Sequence, residues 1–134
     1  MLQTFNEKNR DLIVSVGGQL LPRADAKVSV FDSLVQGGDG CWEGLRLYQG
    51  RIFKLREHLE RLRHSALAMA FTEIPSADAI VEEIKRTLAA NKMTDGVHVR
   101  LTLSRGEKVT SGMDPRLNQA GPLLIVLAEH KAPV

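Results

Sequence analysis

The chain has 134 residues, of which 43% are hydrophobic and 25% charged, which is typical of one globular domain. Its formal net charge is +2 and the basic residues alternate with acidic ones, so we expect neither a nucleic-acid groove nor a concentrated basic face. No apolar run reaches the roughly 20 residues of a membrane helix, and Cys41 is the single cysteine, so a cytoplasmic protein without a membrane span or disulfide is expected.

The first half of the chain predicts two hairpins and one further strand. Gly17-Gly18 and Gln49-Gly50 are two-residue turn signals, each flanked by segments rich in aliphatic residues. Between the hairpins, a short segment alternates apolar and polar side chains. The predicted strands run from Leu12 to Val16, from Gln19 to Leu21, from Lys27 to Phe31, from Cys41 to Tyr48 and from Arg51 to Leu55.

The second half predicts two helices and two strands. Ser76 is suited to cap a helix in which Ile80, Ile84 and Leu88 recur at helical spacing. The other predicted segments are a helix from about Arg56 to Ala70, strands from Val97 to Ser104 and from Leu123 to Ala128, and a loop from Gly106 to Pro122. The last strand is apolar on both faces and should be central or covered. About six strands and two helices indicate an α+β fold, with the helices packed on one face of a mainly antiparallel sheet.

One face of the strand from Cys41 to Tyr48 has an unusual composition for a core. Alternation places Trp42, Gly44 and Arg46 together, with Glu43 among the residues of the opposite face. Because glycine leaves room and arginine binds anions, this face is a candidate ligand wall. The alternative is that Trp42 simply packs and Arg46 is a surface charge.

The first long helix carries a basic flank. His58 and Arg61 lie beside its apolar stripe, at the border between core and solvent. A phosphate there would gain charge-assisted hydrogen bonds, which a bidentate arginine provides well. The alternative is a solvated Arg61 paired with an acid on the same helix, such as Glu57.

The strand from Val97 to Ser104 has a polar face that includes His98 and Arg100. Arg100, and Arg105 just after the strand, could each pair with a substrate carboxylate. The alternative is an exposed sheet face with ordinary polar side chains.

Three motifs in this order resemble the N-terminal small domain of the fold-type IV (class IV) pyridoxal-phosphate enzymes. They are GDGCWEGLRLYQG, then HLERL with Ser65-Ala66, then HVRLTLSRG, and the similarity runs from about Leu12 to Lys131. The group includes branched-chain aminotransferases, D-amino acid aminotransferases and aminodeoxychorismate lyase. The resemblance implies amino-group transfer between an amino acid, with a branched-chain one favoured, and a 2-oxo acid, with pyridoxal 5'-phosphate as cofactor.

The resemblance also implies roles for single residues. Arg61, in the HxxRL element, would hold the cofactor phosphate, with His58 supporting it. Trp42 stands where the family has a Phe or Tyr lining the pocket for the substrate side chain, which it would narrow.

Four further positions match substrate-binding elements of the family. Gly44 and Arg46 follow as in the branched-chain pattern FEGxR. Arg100 matches an arginine near the substrate carboxylate in the branched-chain type, whereas Arg105 matches the carboxylate-binding arginine of the D-amino acid type. The substrate subclass therefore stays open between these two.

In the enzymes that this chain resembles, the Schiff-base lysine belongs to a second, larger domain. We expect no catalytic role for Lys54, Lys92 or Lys131, no metal site, and little or no cofactor binding by this chain by itself. Residues 1–134 are thus predicted to be one domain of a homodimeric transaminase, with the C-terminal domain as the missing partner. The alternatives are a free-standing non-catalytic module, dimeric or ligand-binding, and a parent enzyme of the aminodeoxychorismate lyase type.

Overall fold

The computed structural model describes residues 2–134. Six strands form one antiparallel sheet, with three α-helices. In chain order the elements are β1 (Ile13–Val16), β2 (Gln19–Pro22), α1 (Ser33–Gly37), β3 (Gly40–Tyr48), β4 (Arg51–Ile52), α2 (Leu55–Ala68), α3 (Ala77–Ala90), β5 (Val97–Ser104) and β6 (Leu123–His130). The strand order across the sheet is β2-β1-β6-β5-β3-β4, which confirms the predicted fold class and puts β6 at the centre.

The two long helices cover one face of the sheet. α2 packs on β3, and α3 packs on β1 and β6. The core between them is aliphatic because alternate residues of β3 and β5 point toward the helices. Its largest fully buried apolar side chains are Leu45, Leu62, Ile84, Val97, Val99, Leu101, Leu103 and Val126. Ser76 caps α3 by accepting a hydrogen bond from the backbone N–H of Ala79, as the sequence predicts. The opposite side, called the open face below, carries Trp42 of β3, His98 and Arg100 of β5 and Leu127 of β6.

Several predicted boundaries are wrong. The segment from Lys27 to Phe31 is not a strand but irregular chain and turn. It leads into the five-residue α1, which the sequence analysis did not predict; Asp32 caps α1 by accepting from the backbone N–H of Leu34. β4 ends at Ile52 rather than Leu55, since Lys54 adopts a left-handed φ of 56° and the chain enters α2.

β6 continues two residues past the predicted end, to His130, because its partner strand β5 is long enough to pair with it there. No helix within residues 2–134 has the length and apolar character needed to cross a membrane. In the same residues, no group of three or more His, Cys, Asp or Glu side chains is arranged to hold a metal ion.

Candidate functional site

The helix-facing side of β3 carries one buried carboxylate, Glu43, whose side chain is only 4% exposed. Arg61 of α2 donates to it from Nε and from Nη2, both at 2.8 Å. His58 Nδ1 lies 2.6 Å from the same carboxylate. Leu59 and Leu62 are buried on α2, which sets the rotation of the helix and points both basic side chains at β3.

Charge stabilises this network. Burial would raise the pKa of the Glu43 carboxyl, but the hydrogen bonds and charges of Arg61 and His58 outweigh it and lower that pKa. Arg61 pairs with Glu43 rather than with Glu57, so the alternative of an intrahelical ion pair is wrong. Its side chain is 68% exposed and Nη1 takes no part in the bonds to Glu43. A guanidinium held at two nitrogens and open at the third is suited to bind an anion.

On the open face, strand pairing places the polar and apolar side chains in rows, because directly paired residues of antiparallel strands share a face. Across β3, β5 and β6 these rows are Trp42–Thr102–Ile125, Gly44–Arg100–Leu127 and Arg46–His98–Glu129. Two arginines, a histidine and an indole thus surround Gly44, with aliphatic side chains beside them.

The two open-face arginines are held by different contacts. The Arg100 guanidinium stacks on the Trp42 ring, 4.0 Å from its centroid. Arg46 donates from Nη1 to the carbonyl of Lys131 at 2.6 Å and from Nε to the hydroxyl of Tyr48 at 3.3 Å. Arg46 Nη2 is buried and has no hydrogen-bond partner within the described residues. A buried donor of this kind is costly unless a partner reaches it, so an anion would be stabilised here.

Gly44 provides the space into which its neighbours extend. A Cβ at this position would lie 3.0 Å from His98 Nε2 and 3.7 Å from the Trp42 ring. Burial lowers the pKa of His98, and the charges of Lys131 and Arg46 lower it further. The imidazole is therefore neutral at pH 7.

The structure separates the predicted site residues into two groups. Arg61 and His58 bind Glu43 on the helix-facing side of β3, whereas Trp42 and Gly44 point to the open face. β4 pairs with the last two residues of β3, and the N–H of Phe53 donates to the carbonyl of Arg46, so the stretch 40–45 forms a free edge of the sheet between the two groups. Arg61 and Trp42 therefore lie on opposite sides of β3, and the two groups are separated by this strand edge.

Arg105 belongs to neither group. Its guanidinium binds Asp39 at 2.7 Å and the carbonyls of Met69 and Ala70 at the C-terminal end of α2, and it stacks on Phe71. These partners leave the side chain 15% exposed. The Arg105 side chain thus caps the C-terminal end of α2, where cations stabilise the free carbonyl groups of a helix.

Two residues of this region were not assigned a role from the sequence. Glu43 was placed on the inward face of β3 by alternation, and a buried acid requires a basic partner, so that signal could have identified it. His98 was placed on the polar face of β5, but its closeness to Arg46 depends on the pairing of β3 with β5, which is not a local property of the sequence.

Comparisons with known proteins agree on one family. The family model described as amino-transferase class IV matches residues 40–133. The branched-chain-amino-acid aminotransferase-like protein 2 of Arabidopsis thaliana is 58% identical over 127 residues, which is 95% of this chain and 23% of that protein. This chain therefore spans about a quarter of the length of that relative.

Solved structures show the same fold. The branched-chain amino acid aminotransferase of Escherichia coli superposes with a TM-score of 0.75 at 25% identity, covering 89% of this chain and 40% of that one. The branched-chain aminotransferase of the archaeon Thermoproteus uzoniensis, solved with norvaline, superposes with a TM-score of 0.73 at 23% identity, covering 89% of this chain and 40% of that one. The fold of this chain is thus shared with less than half of each of these two enzymes.

Proposed function

Because the chain belongs to the amino-transferase class IV family, we propose that it supplies the small-domain wall of the active site of a pyridoxal-phosphate-dependent aminotransferase. The reaction moves the amino group of an amino acid with a branched aliphatic side chain to a 2-oxo acid. The name of the A. thaliana relative supports this substrate class. We assign the lysine that bonds to the cofactor to polypeptide outside these 134 residues.

One observation carries the proposal: the open face presents two arginines that form no ion pair with a carboxylate within residues 2–134. Arg46 has an unpartnered buried nitrogen, and Arg100 stacks on Trp42 instead of pairing with an acid. Both amino acids and 2-oxo acids carry a carboxylate, and a guanidinium binds that group through two parallel hydrogen bonds. The arginines therefore suit the feature that the two substrates of a transaminase share.

Apolar side chains next to these arginines suit an aliphatic substrate. Ile125 and Leu127 of β6 are half-buried on the open face, where Leu127 is paired with Arg100, and Thr102 of β5 lies between Ile125 and Trp42. A branched hydrocarbon laid on Ile125 and Leu127 would leave water, at a gain of about 25 cal/mol per Å². The carboxylate and the side chain of one small molecule would thus be recognised by neighbouring rows of the sheet.

Arg61 suits the phosphate of the cofactor. Glu43 holds two of its guanidinium nitrogens, and the side chain is largely exposed, so the third nitrogen remains available to an anion. When bound, pyridoxal phosphate supplies the electron sink that makes loss of a proton from the amino-acid α-carbon accessible. In this proposal, the residues of this chain bind and orient: Arg61 holds the phosphate, and Arg46 with Arg100 orients the carboxylate.

The same side chains limit access of water to the substrate. Trp42 and Arg100 cover one another, so a substrate placed between Arg100 and Leu127 has an aromatic wall on one side and an aliphatic floor. Excluding water strengthens each hydrogen bond from the arginines, because the local dielectric falls.

Binding to this chain provides the test. Trp42 is the only tryptophan, so its fluorescence and indole N–H signal report on the open face. We expect 4-methyl-2-oxopentanoate to perturb Trp42 in the parent chain and in an Arg63→Gln control, whose substitution lies on the exposed side of α2. Arg100→Gln should weaken this response about tenfold, as expected for loss of one charge-assisted carboxylate contact. An equal response in Arg100→Gln would refute the assignment.

A turnover assay tests the assigned location of the lysine. With L-leucine, 2-oxoglutarate and pyridoxal phosphate, we expect the 134-residue chain to show no transamination. Lys131 is the lysine to check, because it lies near His98 at the edge of the open face. Turnover that is lost in Lys131→Arg would place the covalent lysine within this chain and overturn the proposal.

A homodimer is part of the same proposal. Val30, Phe31 and Val35 around α1, together with Met113, expose large apolar surfaces. Met113 lies against Gly37 of α1, so all four exposed side chains belong to α1, to the turn before it or to a residue in contact with it. Exposed apolar patches of this kind favour association. Sedimentation velocity should show a dimer that Phe31→Ser shifts toward monomer, whereas an unchanged distribution would exclude this patch as the interface.

A further inference from the structure

His98 lies at the centre of a charged cluster on the open face. Arg46 faces it from β3, Arg100 from its own strand and Glu129 from β6, and Lys131 follows just beyond β6. The helices pack on the other side of the sheet and contribute no charge to this cluster. Three fixed cations therefore surround the imidazole against one carboxylate.

The position of the imidazole is fixed by packing. Its Nε2 lies where only a glycine leaves room, 3.0 Å from the Cβ that any other residue at position 44 would carry. The ring is half-buried between β3 and β6. The absence of a side chain at Gly44 thus leaves the space that the His98 ring occupies.

A carboxylate at Arg46 would change the electrostatic environment of the ring. Arg46 Nη2 is buried and has no partner among residues 2–134, while Nη1 is tied to the Lys131 carbonyl. An anion that reaches Nη2 arrives next to His98, because Arg46 and His98 are directly paired across β3 and β5. Burial and the nearby cations together keep the imidazole neutral; the added negative charge offsets the cations, so protonation becomes more favourable.

We propose that His98 is a positioning and specificity residue that takes up one proton from solvent when a substrate carboxylate binds beside Arg46, and returns it when that carboxylate leaves. This inference rests on the proposed function and adds His98 to its substrate-binding residues. The proton binds to an imidazole nitrogen, and no covalent bond to the substrate forms. The positive charge of the imidazolium then balances the negative charge of the substrate carboxylate. A neutral ligand of the same shape would not induce protonation of His98, so its affinity would gain nothing from it.

Because carboxylate binding and His98 protonation are coupled, thermodynamic linkage determines whether the affinity rises or falls with pH. The carboxylate binds the protonated form more tightly, so by linkage its binding lowers the acid dissociation constant of His98 by the same factor, and the pKa of His98 rises by the logarithm of that factor. Affinity is then constant at high pH, and it rises by up to tenfold per pH unit as the pH falls between the bound-state and free-state pKa values of His98. The free-state value lies below the ordinary 6.5.

Nuclear magnetic resonance of the histidine side chains tests this in the 134-residue chain. The chain has four histidines, and His64 on the exposed side of α2 provides an internal control. At pH 7, saturating 4-methyl-2-oxopentanoate should move the His98 signals toward those of imidazolium and leave His64 unchanged. The neutral probe 4-methyl-2-pentanone should move neither.

Affinity measurements on variants complete the test. From pH 8 to pH 5 the parent chain and His64→Gln should bind the 2-oxo acid progressively more tightly, whereas His98→Gln should bind with a flat pH profile. If Trp42 responds to the ligand while His98 stays neutral, this inference is wrong and the proposed carboxylate site stands. If neither Trp42 nor His98 responds, both are wrong for this chain.

Discussion

Replacing Glu43 with Gln removes the one negative charge beneath α2 and keeps the side-chain volume. A hydrogen bond to a charged group contributes about 1.5–3 kcal/mol. Glu43 has three such contacts, but Arg61 is largely exposed and regains water when released, so the sum must be discounted for solvent. We expect the free energy of unfolding to fall by about 2 kcal/mol. At about 2.1 cal/mol/K per residue, this lowers the Tm by roughly 7 °C.

Thermal and urea unfolding at two pH values provide the assay, with Glu60→Gln on the exposed side of α2 as the matched control. The pKa of Glu43 is lowered from 4.5 in the folded chain, so its carboxylate stabilises the fold above that value and loses this effect as the pH falls through the folded-state pKa. The difference in the free energy of unfolding between Glu43→Gln and the parent chain should therefore be largest at pH 7 and become smaller toward pH 3. A gap as small as that of Glu60→Gln at pH 7, or one of equal size at pH 3, would refute this reasoning.

Three further substitutions test the fold and the open face. Gly106→Ala should lower the free energy of unfolding in urea by at least about 3 kcal/mol, because φ is +109° and the new Cβ would overlap the carbonyl oxygen of Gly121. Gly50→Ala, where φ is positive but the surrounding space is open, should lower it by about 1 kcal/mol. Similar losses for the two variants would contradict this reasoning. Leu62→Ala should lower the free energy of unfolding by about 3 kcal/mol, whereas Leu67→Ala, at a half-exposed position, should lower it by under about 1 kcal/mol. Equal values would place Leu62 outside the core. His98 has a lowered pKa, so the parent chain should lose stability as the pH drops below 6.5, and this loss should be smaller in His98→Gln; identical pH profiles would show that His98 titrates normally.

Local patterns predicted the parts of the fold that depend on neighbours in the chain. The bounds of β5 were predicted correctly, since strict alternation from Val97 to Ser104 needs no tertiary information. The segment from Lys27 to Phe31 also alternates, but no strand is available to pair with it, so the pattern misled. α1 has five residues and ends at Gly37, which is too short to show a helical period.

For the candidate site too, the sequence predicted what depends on neighbours in the chain and missed what depends on tertiary packing. Which side chains share a face of β3 was evident from alternation, including Trp42 with Gly44 and Arg46. Which groups then touch was not, because contacts between α2 and β3 and between β5 and β3 depend on how distant segments pack. For this reason the bonds of Arg61 to Glu43, and those of Arg105 to the end of α2, could be seen only in three dimensions.

The strand in the middle of the sheet, β6, follows the other five in the chain. Within residues 2–134, no backbone pairing joins β1 to β5 directly, so the hairpin of β1 and β2 stays unattached to the other half of the sheet until β6 inserts between them. During translation the two parts of the sheet, β1 with β2 and β3 with β4 and β5, would emerge first. They could join only after residues 123–130 leave the exit tunnel. Joining them brings together segments more than a hundred residues apart, which makes this a slow step of folding. A nascent chain that stalls before that point would have neither a finished sheet nor the surface formed by β3, β5 and β6.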